Sequence, residues 1–135
     1  MSEVIAAAWV CVRDRRLLVV RAAGSDAFYV PGGKPEAGES WAQAAAREVG
    51  EETGVVLRAE ELSLFAEIVA PAHGRHAGTN VRLVCFESES NGAGSAAEAR
   101  AEIAEIGWFT SADRDRCAPA IQLLIDRLIT AGRMA

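Results

Sequence analysis

The chain has 135 residues, a formal net charge of −5 and an apolar fraction of 50%. This size and composition predict one globular domain over residues 1–135, large enough to bury a core without disulfides or structural metal. The acidic balance argues against a nucleic-acid polymer as partner, and the longest apolar run, residues 4–12, is too short to cross a membrane.

The first predicted elements are a hairpin and a short strand that enters a glycine turn. Residues 4–12 and 17–21 are apolar runs separated by a polar turn, which favours two antiparallel strands. Residues 28–30 predict a short strand before the double-glycine turn that follows Pro31.

A helix is predicted immediately after this turn. Ser40 is a good N-cap, Gln43 completes a capping box, and Gly54 stands where a left-handed C-terminal stop is expected. Gly50, in the helix interior, costs about 1 kcal/mol relative to alanine, which suggests a tight contact there. Four apolar residues recur at helical spacing and predict the buried face: Ala42, Ala45, Ala46 and Val49.

Three carboxylates share another face of this helix. Glu48, Glu51 and Glu52 repel one another close to the negative end of the helix dipole, and Arg47 is the only cation within the helix. Hard divalent cations such as Mg²⁺ bind oxygen ligands of this kind. A solvated acidic face is the plain alternative, but a solvated helix does not need the glycine turn, whose Gly32 carbonyl is available to a metal.

The second half of the chain predicts three more strands and a second helix. Residues 118–129 carry apolar residues at helical spacing and form an amphipathic helix. The other segments are a strand over 62–70, a loop over 71–79, a strand over 80–87, a surface loop over 88–101 and a strand over 103–109. Mixed strands with two helices predict an α/β (α+β) fold.

The cysteines and the N-terminus indicate the compartment. Cys11 and Cys85 lie in strand-like apolar runs and are typical of core thiols, and with Cys117 they show no CxxC spacing. The N-terminus lacks the pattern of a signal peptide. We therefore expect a cytoplasmic protein.

The stretch from Gly33 to Val55 resembles the Nudix box, G-x5-E-x7-R-E-U-x-E-E-x-G-U, in which U is a bulky aliphatic residue. Every defined position is filled, and both gaps have the right length: Gly33, Glu39, Arg47, Glu48, Val49, Glu51, Glu52, Gly54 and Val55. The resemblance implies the Nudix fold, a mixed β-sheet sandwiched between α-helices. It also implies a Mg²⁺-dependent hydrolase, with Mn²⁺ as a substitute, that cleaves the diphosphate linkage of a nucleoside diphosphate linked to a group X.

The resemblance also implies roles for individual residues. Glu48, Glu51, Glu52 and the carbonyl of Gly32 would bind the metal, and Glu39 with Arg47 would form an orienting pair. The general base is left open among Glu51, Glu52 and a loop acid. Related enzymes often add such an acid, and in some of them it lies five or six residues before a tryptophan, which favours Glu102 over Glu98 and Glu105. The alternative is that all three are solvated surface acids.

Residues outside the box say less about the substrate. Phe28 and Tyr29 could flank a base, although a core role is favoured. Arg75 is available for a phosphate, whereas simple exposure is favoured for the neighbouring His73 and His76.

The short chain resembles the compact MutT-like enzymes, which favours a (d)NTP pyrophosphohydrolase that releases a nucleoside monophosphate and pyrophosphate. Pro71, near the position of a proline in ADP-ribose hydrolases, keeps ADP-ribose or another nucleotide sugar as the alternative. A nucleotide-sensing domain would not need the intact acids, and an isopentenyl diphosphate isomerase would need a reactive cysteine. A homodimer is common in the family.

Overall fold

The computed structural model describes residues 3–74, 78–89 and 91–135, with the side chains of residues 91 and 92 left out of the description. The strands are β1 (Glu3–Trp9), β2 (Val12–Arg13), β3 (Arg16–Ala22), β4 (Gly32–Gly33), β5 (Leu62–Pro71), β6 (Asn80–Ser88) and β7 (Ile103–Phe109). The helices are α1 (Trp41–Thr53) and α2 (Pro119–Thr130), with 3-10 turns at Ala59–Glu61, Asn91–Ala96 and Ser111–Arg116.

The strands form two sheets. The first has the order β4-β1-β6-β5 and is mixed, because β1 runs parallel to β6 while the other pairs are antiparallel. The second is antiparallel, with the order β2-β3-β7. Helix α1 packs on β1 and β4, and α2 packs on β5. This mixed arrangement of sheets and helices confirms the predicted α+β fold class.

The predicted hairpin between residues 4–12 and 17–21 is wrong for most of its length. Strand β1 pairs with β4 and β6, and only Val12–Arg13 pairs with the start of β3. The chain changes sheets in between: the Val10 amide donates to Phe86 O at 2.7 Å, whereas Cys11 O accepts from Leu18 N at 2.9 Å. A continuous apolar run gave no sign of this crossing, because Val10 and Cys11, on either side of it, are both fully buried.

Helix α2 closes the main core. Its predicted apolar residues are fully buried against both sheets: Ile121, Leu124, Ile125 and Leu128. Within the described part of the chain, no helix is long and apolar enough to cross a bilayer.

Helix α1 begins and ends where its caps predict. Ser40 and Gln43 form the reciprocal capping box, and Gly54 adopts φ 76° after the last turn. The buried face differs from the prediction, since Ala44 is buried while Ala42 and Ala46 are only half-buried. This face extends to Glu52, so one of the three carboxylates lies inside the protein.

Candidate active site

Two glycines allow α1 to lie against the edge of the first sheet. A Cβ at Gly32 would come within 3.0 Å of the backbone of Ala7 and Ala8, and a Cβ at Gly33 would overlap the carboxylate of Glu48. Because the backbone of Ala7 and Ala8 cannot give way, only glycine fits at position 32, whereas a side chain at position 33 would have to displace the Glu48 carboxylate. Strand β4 therefore fixes the helix that carries the acids beside β1.

Glu52 is the buried member of the acidic face, with 9% of its surface exposed. Its Oε1 accepts a hydrogen bond from the Gly32 amide at 3.1 Å. Burial raises the pKa of Glu52 to about 8, and the bond from Gly32 opposes this shift. The charges of three acidic neighbours add to the rise: Glu48, Glu102 and Glu51.

Glu48 and Glu51 lie further out on the same face. Glu48 is half-buried, and this burial raises its pKa against the opposing effect of Arg47. Glu51 is exposed, and its Oε1 lies 3.4 Å from Nη1 of Arg47. The three carboxylates thus differ in depth, from the exposed Glu51 to the buried Glu52, and Arg47 lies beside the outer two.

Arg47 holds the loop before α1 as well as the acidic face. Its Nε and Nη2 donate to the two carboxylate oxygens of Glu39 at 2.8 and 3.0 Å, a bidentate pair that holds the pKa of Glu39 below its usual range. Nη2 also donates to Lys34 O at 3.2 Å, and Nε lies 3.3 Å from Glu36 Oε1.

Sequence reasoning missed Glu36. The amide of Glu36 donates to Glu39 Oε1 at 2.9 Å. A short polar loop with two glutamates three residues apart could have indicated this contact.

The carboxylate oxygens of this acidic face are ligands that suit a hard divalent cation. Crowding and burial raise the pKa of Glu48 and Glu52, so a bound cation would relieve the cost of keeping both carboxylates charged. Within the described ranges no three His, Cys, Asp or Glu side chains are arranged to hold a metal ion. Glu52 is directed to the Gly32 amide, and Glu48 and Glu51 are directed to Arg47.

Of the three loop acids considered from the sequence, Glu102 is the one whose charge affects the pKa of Glu52. Its charge raises the pKa of Glu52, whereas Glu105 pairs with Arg21 at 2.8 Å and Glu98 pairs with Arg100 at 2.7 Å. The carbonyl of Glu102 also accepts from the Ala23 amide at 2.8 Å, which ties this residue to the loop after β3.

An apolar cavity of about 150 Å³ opens beside Glu52 and Gly32 and runs between the two sheets. Of the described residues that line it, only Tyr29 and Glu52 have polar side chains; the walls are alkyl groups such as those of Ala8, Val20 and Leu83. Burial raises the pKa of Tyr29, so its hydroxyl stays protonated and can donate a hydrogen bond.

Phe28 does not line this cavity. It is 4% exposed and packs on Phe109 with ring centroids 4.7 Å apart, so it belongs to the core and we leave it out of the proposed site.

His73 Nε2 lies 2.6 Å from Asp26 Oδ1. The predictions for Arg75 and His76 fall outside the described residues.

The buried cysteines do not supply an isomerase nucleophile. Burial raises the pKa of Cys11 and Cys85 to about 12 and that of Cys117 to about 11, so all three stay thiols near neutral pH.

The glycines before α1 thus place a helix with three carboxylates beside an apolar cavity. The model of the NUDIX domain family matches residues 1–123, so the chain belongs to the Nudix family, whose hydrolases act on pyrophosphate bonds. No curated protein sequence matches the chain significantly.

Solved structures show the same fold at low sequence identity. The MutT protein from Methanosarcina mazei Go1 has a TM-score of 0.72 at 16% identity, with 97% of this chain and 96% of that one covered. A MutT/nudix family protein from Enterococcus faecalis has a TM-score of 0.60 at 21% identity, and the match covers 81% of this chain.

A third similar structure is a bifunctional NMN adenylyltransferase/ADP ribose pyrophosphatase from Francisella tularensis, complexed with AMP and a Mn ion. Its TM-score is 0.64 at 19% identity, with 96% of this chain covered. This chain spans only 44% of the Enterococcus protein and 42% of the Francisella protein.

Proposed function

We propose that this chain is a Mg²⁺-dependent (d)NTP pyrophosphohydrolase that releases a nucleoside monophosphate and pyrophosphate. The observation that carries the proposal is the position of Glu52. This residue belongs to the acidic face of α1 and also lines the apolar cavity. A nucleotide with its base in the cavity would therefore have its phosphates beside the carboxylates.

Glu48, Glu51 and Glu52 would hold the ion, together with the carbonyl of Gly32. When bound, Mg²⁺ supplies charge neutralisation on the diphosphate and a more acidic water. Mn²⁺, a similarly hard cation, would substitute. The Arg47–Glu39 pair would fix the side chains of the acidic face, since the Arg47 guanidinium contacts Glu39, Glu48 and Glu51.

Glu102 would take the proton of the attacking water. Among the described residues it makes no ion pair, whereas Glu51 already faces Arg47. Glu102 follows Arg100, whose amide donates to Glu52 O at 3.0 Å, which supports a position close to the acidic face. Replacement with glutamine would lower kcat, and the loss would shrink at high pH as hydroxide replaces the base.

The cavity supports recognition of the base by shape. Its walls are alkyl groups apart from Tyr29 and Glu52, so a base would gain apolar contact and one hydrogen bond from the tyrosine hydroxyl. Discrimination among bases would therefore be modest, about 10- to 200-fold. Arg75 remains a prediction for a phosphate contact.

A substrate panel tests the proposal. The wild-type chain and Glu52→Gln would be incubated with Mg²⁺ and the common and oxidised (d)NTPs, ADP-ribose and dinucleoside polyphosphates, and pyrophosphate and phosphate would be measured separately. We expect pyrophosphate from (d)NTPs only in the wild type. Faster turnover of ADP-ribose would replace the proposal with a nucleotide-sugar pyrophosphatase, and nucleotide binding without turnover of any substrate would indicate a sensor.

A further inference from the structure

The C-terminal end of α1 receives its positive charge from a distant segment. The last turn of the helix contains no basic residue, although the negative end of the helix dipole coincides with Glu51 and Glu52. The cation there is Arg100, whose guanidinium lies against Gly54. A Cβ at Gly54 would come within 3.0 Å of Nε and Cζ of Arg100, so the absence of a side chain makes room for this contact.

The backbone of the same segment caps the helix. The amide of Glu98 donates to Thr53 O at 3.0 Å, and the amide of Arg100 donates to Glu52 O at 3.0 Å. Carbonyls in the last turn of a helix have no partner within the helix, so these two bonds satisfy groups that would otherwise need water. The Nη2 of Arg100 also binds Glu98 Oε1 at 2.7 Å, which closes the segment on itself.

Glu102 stands on a tight turn that starts at Arg100. The amide of Ile103 donates to Arg100 O at 3.0 Å, and Ala101, within the turn, has φ 53°. A left-handed conformation is unfavourable for alanine, so surrounding contacts must hold it. Two anchors flank it: the bonds to α1 on one side, and the bond from the Ala23 amide to Glu102 O on the other.

We propose that Arg100 is a positioning residue for hydrolysis, because its guanidinium clamps the turn of residues 100–103 to the end of α1 and so sets Glu102 beside Glu52. The inference rests on the role proposed above for Glu102. The side chain of Arg100 does not line the cavity, and among the described residues it pairs with Glu98 and not with Glu48, Glu51 or Glu52, so it acts through Glu102.

Kinetics of Arg100→Ala and Arg100→Lys test the clamp. A displaced general base lowers the rate of the chemical step, so we expect kcat of Arg100→Ala to fall about tenfold while KM stays within about twofold. Arg100→Lys keeps the charge at the helix end and should recover most of kcat. Arg58→Ala is the matched control: it removes an arginine shortly after the same helix that is 73% exposed and that pairs, among the described residues, with Glu60 and Glu61.

A double-mutant cycle separates positioning from a general loss of stability. If Arg100 acts through Glu102, adding Arg100→Ala to Glu102→Gln should lower kcat by less than about twofold. Additive losses, an equal loss in Arg58→Ala, or no loss in Glu102→Gln would each overturn the inference while leaving the hydrolase assignment intact.

Hydrogen exchange tests the clamp without relying on turnover. In the wild type the amides of residues 98, 100 and 103 are hydrogen-bonded, and we expect them to be protected. Arg100→Ala should speed their exchange about tenfold or more and leave the amides in the middle of α1 unchanged. Equal protection in the two proteins would overturn the clamp even if no nucleotide proved to be a substrate.

Discussion

Replacing Glu52 with glutamine removes a buried ionisable carboxyl group but keeps an oxygen that can accept the hydrogen bond from the Gly32 amide. The folded protein holds the pKa of Glu52 at about 8, against 4.5 for an ordinary glutamate. Between these values the folded state retains a proton that the unfolded state releases. The free energy of unfolding of the metal-free wild type therefore falls as pH rises from 4.5 to 8, and it levels off above 8.

The size of the effect follows from the same two pKa values. Each pH unit inside this window contributes about 1.4 kcal/mol. From pH 5 to pH 7.5 the wild type should therefore lose about 3 kcal/mol relative to Glu52→Gln. The comparison with the variant cancels the titration of groups that do not interact with Glu52.

Urea unfolding with EDTA, followed by tryptophan fluorescence, measures this difference. We expect the stability advantage of the variant over the wild type to be about 3 kcal/mol larger at pH 7.5 than at pH 5. Saturating Mg²⁺ should stabilise the wild type much more than the variant, because binding to the folded state requires the carboxylate. A stability difference that does not change with pH, or a variant that is weaker at pH 7.5, would refute the buried-charge argument.

Three further substitutions test the helix and its supports. Gly50→Ala should raise Tm by about 2–4 °C in calorimetry, because a Cβ there would meet, among the described residues, only Val55 O, at 3.7 Å, and alanine favours a helix by about 1 kcal/mol; an unchanged or lower Tm would contradict this. Gly33→Ala should lower kcat/KM at least about tenfold and weaken Mg²⁺ binding in titration calorimetry, because the new methyl group displaces the Glu48 carboxylate. Arg47→Lys should lower kcat about tenfold, since lysine cannot make the bidentate carboxylate contact, and wild-type kinetics would show that charge alone suffices.

The parts of the structure that depend on local chemistry could be predicted from the sequence. Ser40, Gln43 and Gly54 define the ends of α1 through bonds to residues at most four positions away, so the sequence contained all that the prediction needed. The tight contact expected at Gly50 is absent, because its surroundings leave ordinary van der Waals room for a Cβ.

The parts that depend on distant partners could not be predicted. The pairing of β1 with β6 joins residues more than 70 positions apart, and nothing within residues 4–12 distinguishes that partner from the nearby β3. From the sequence, residues 88–101 were likewise predicted to be only a polar surface loop. It contains the 3-10 turn Asn91–Ala96, and its contacts with Thr53 and Glu52 depend on backbone amides, which any sequence provides.

The burial of Glu52 shows the same limit within the candidate site. Helical spacing placed three acids on one face, but which of them lies inside depends on how β4 and the cavity surround the helix. Only the structure separates a buried carboxylate with a raised pKa from an exposed one.

The central claim, that the carboxylates of α1 support metal-dependent release of pyrophosphate, is tested most directly by phosphorus NMR of a (d)NTP reaction. The substrate should be the (d)NTP that is turned over fastest, with Mg²⁺ or EDTA, in wild type and Glu52→Gln. We expect equal amounts of nucleoside monophosphate and pyrophosphate from the wild type with Mg²⁺, and at least about a hundredfold slower reaction with EDTA or in the variant. Release of orthophosphate with a nucleoside diphosphate, or an undiminished rate in Glu52→Gln, would contradict the claim.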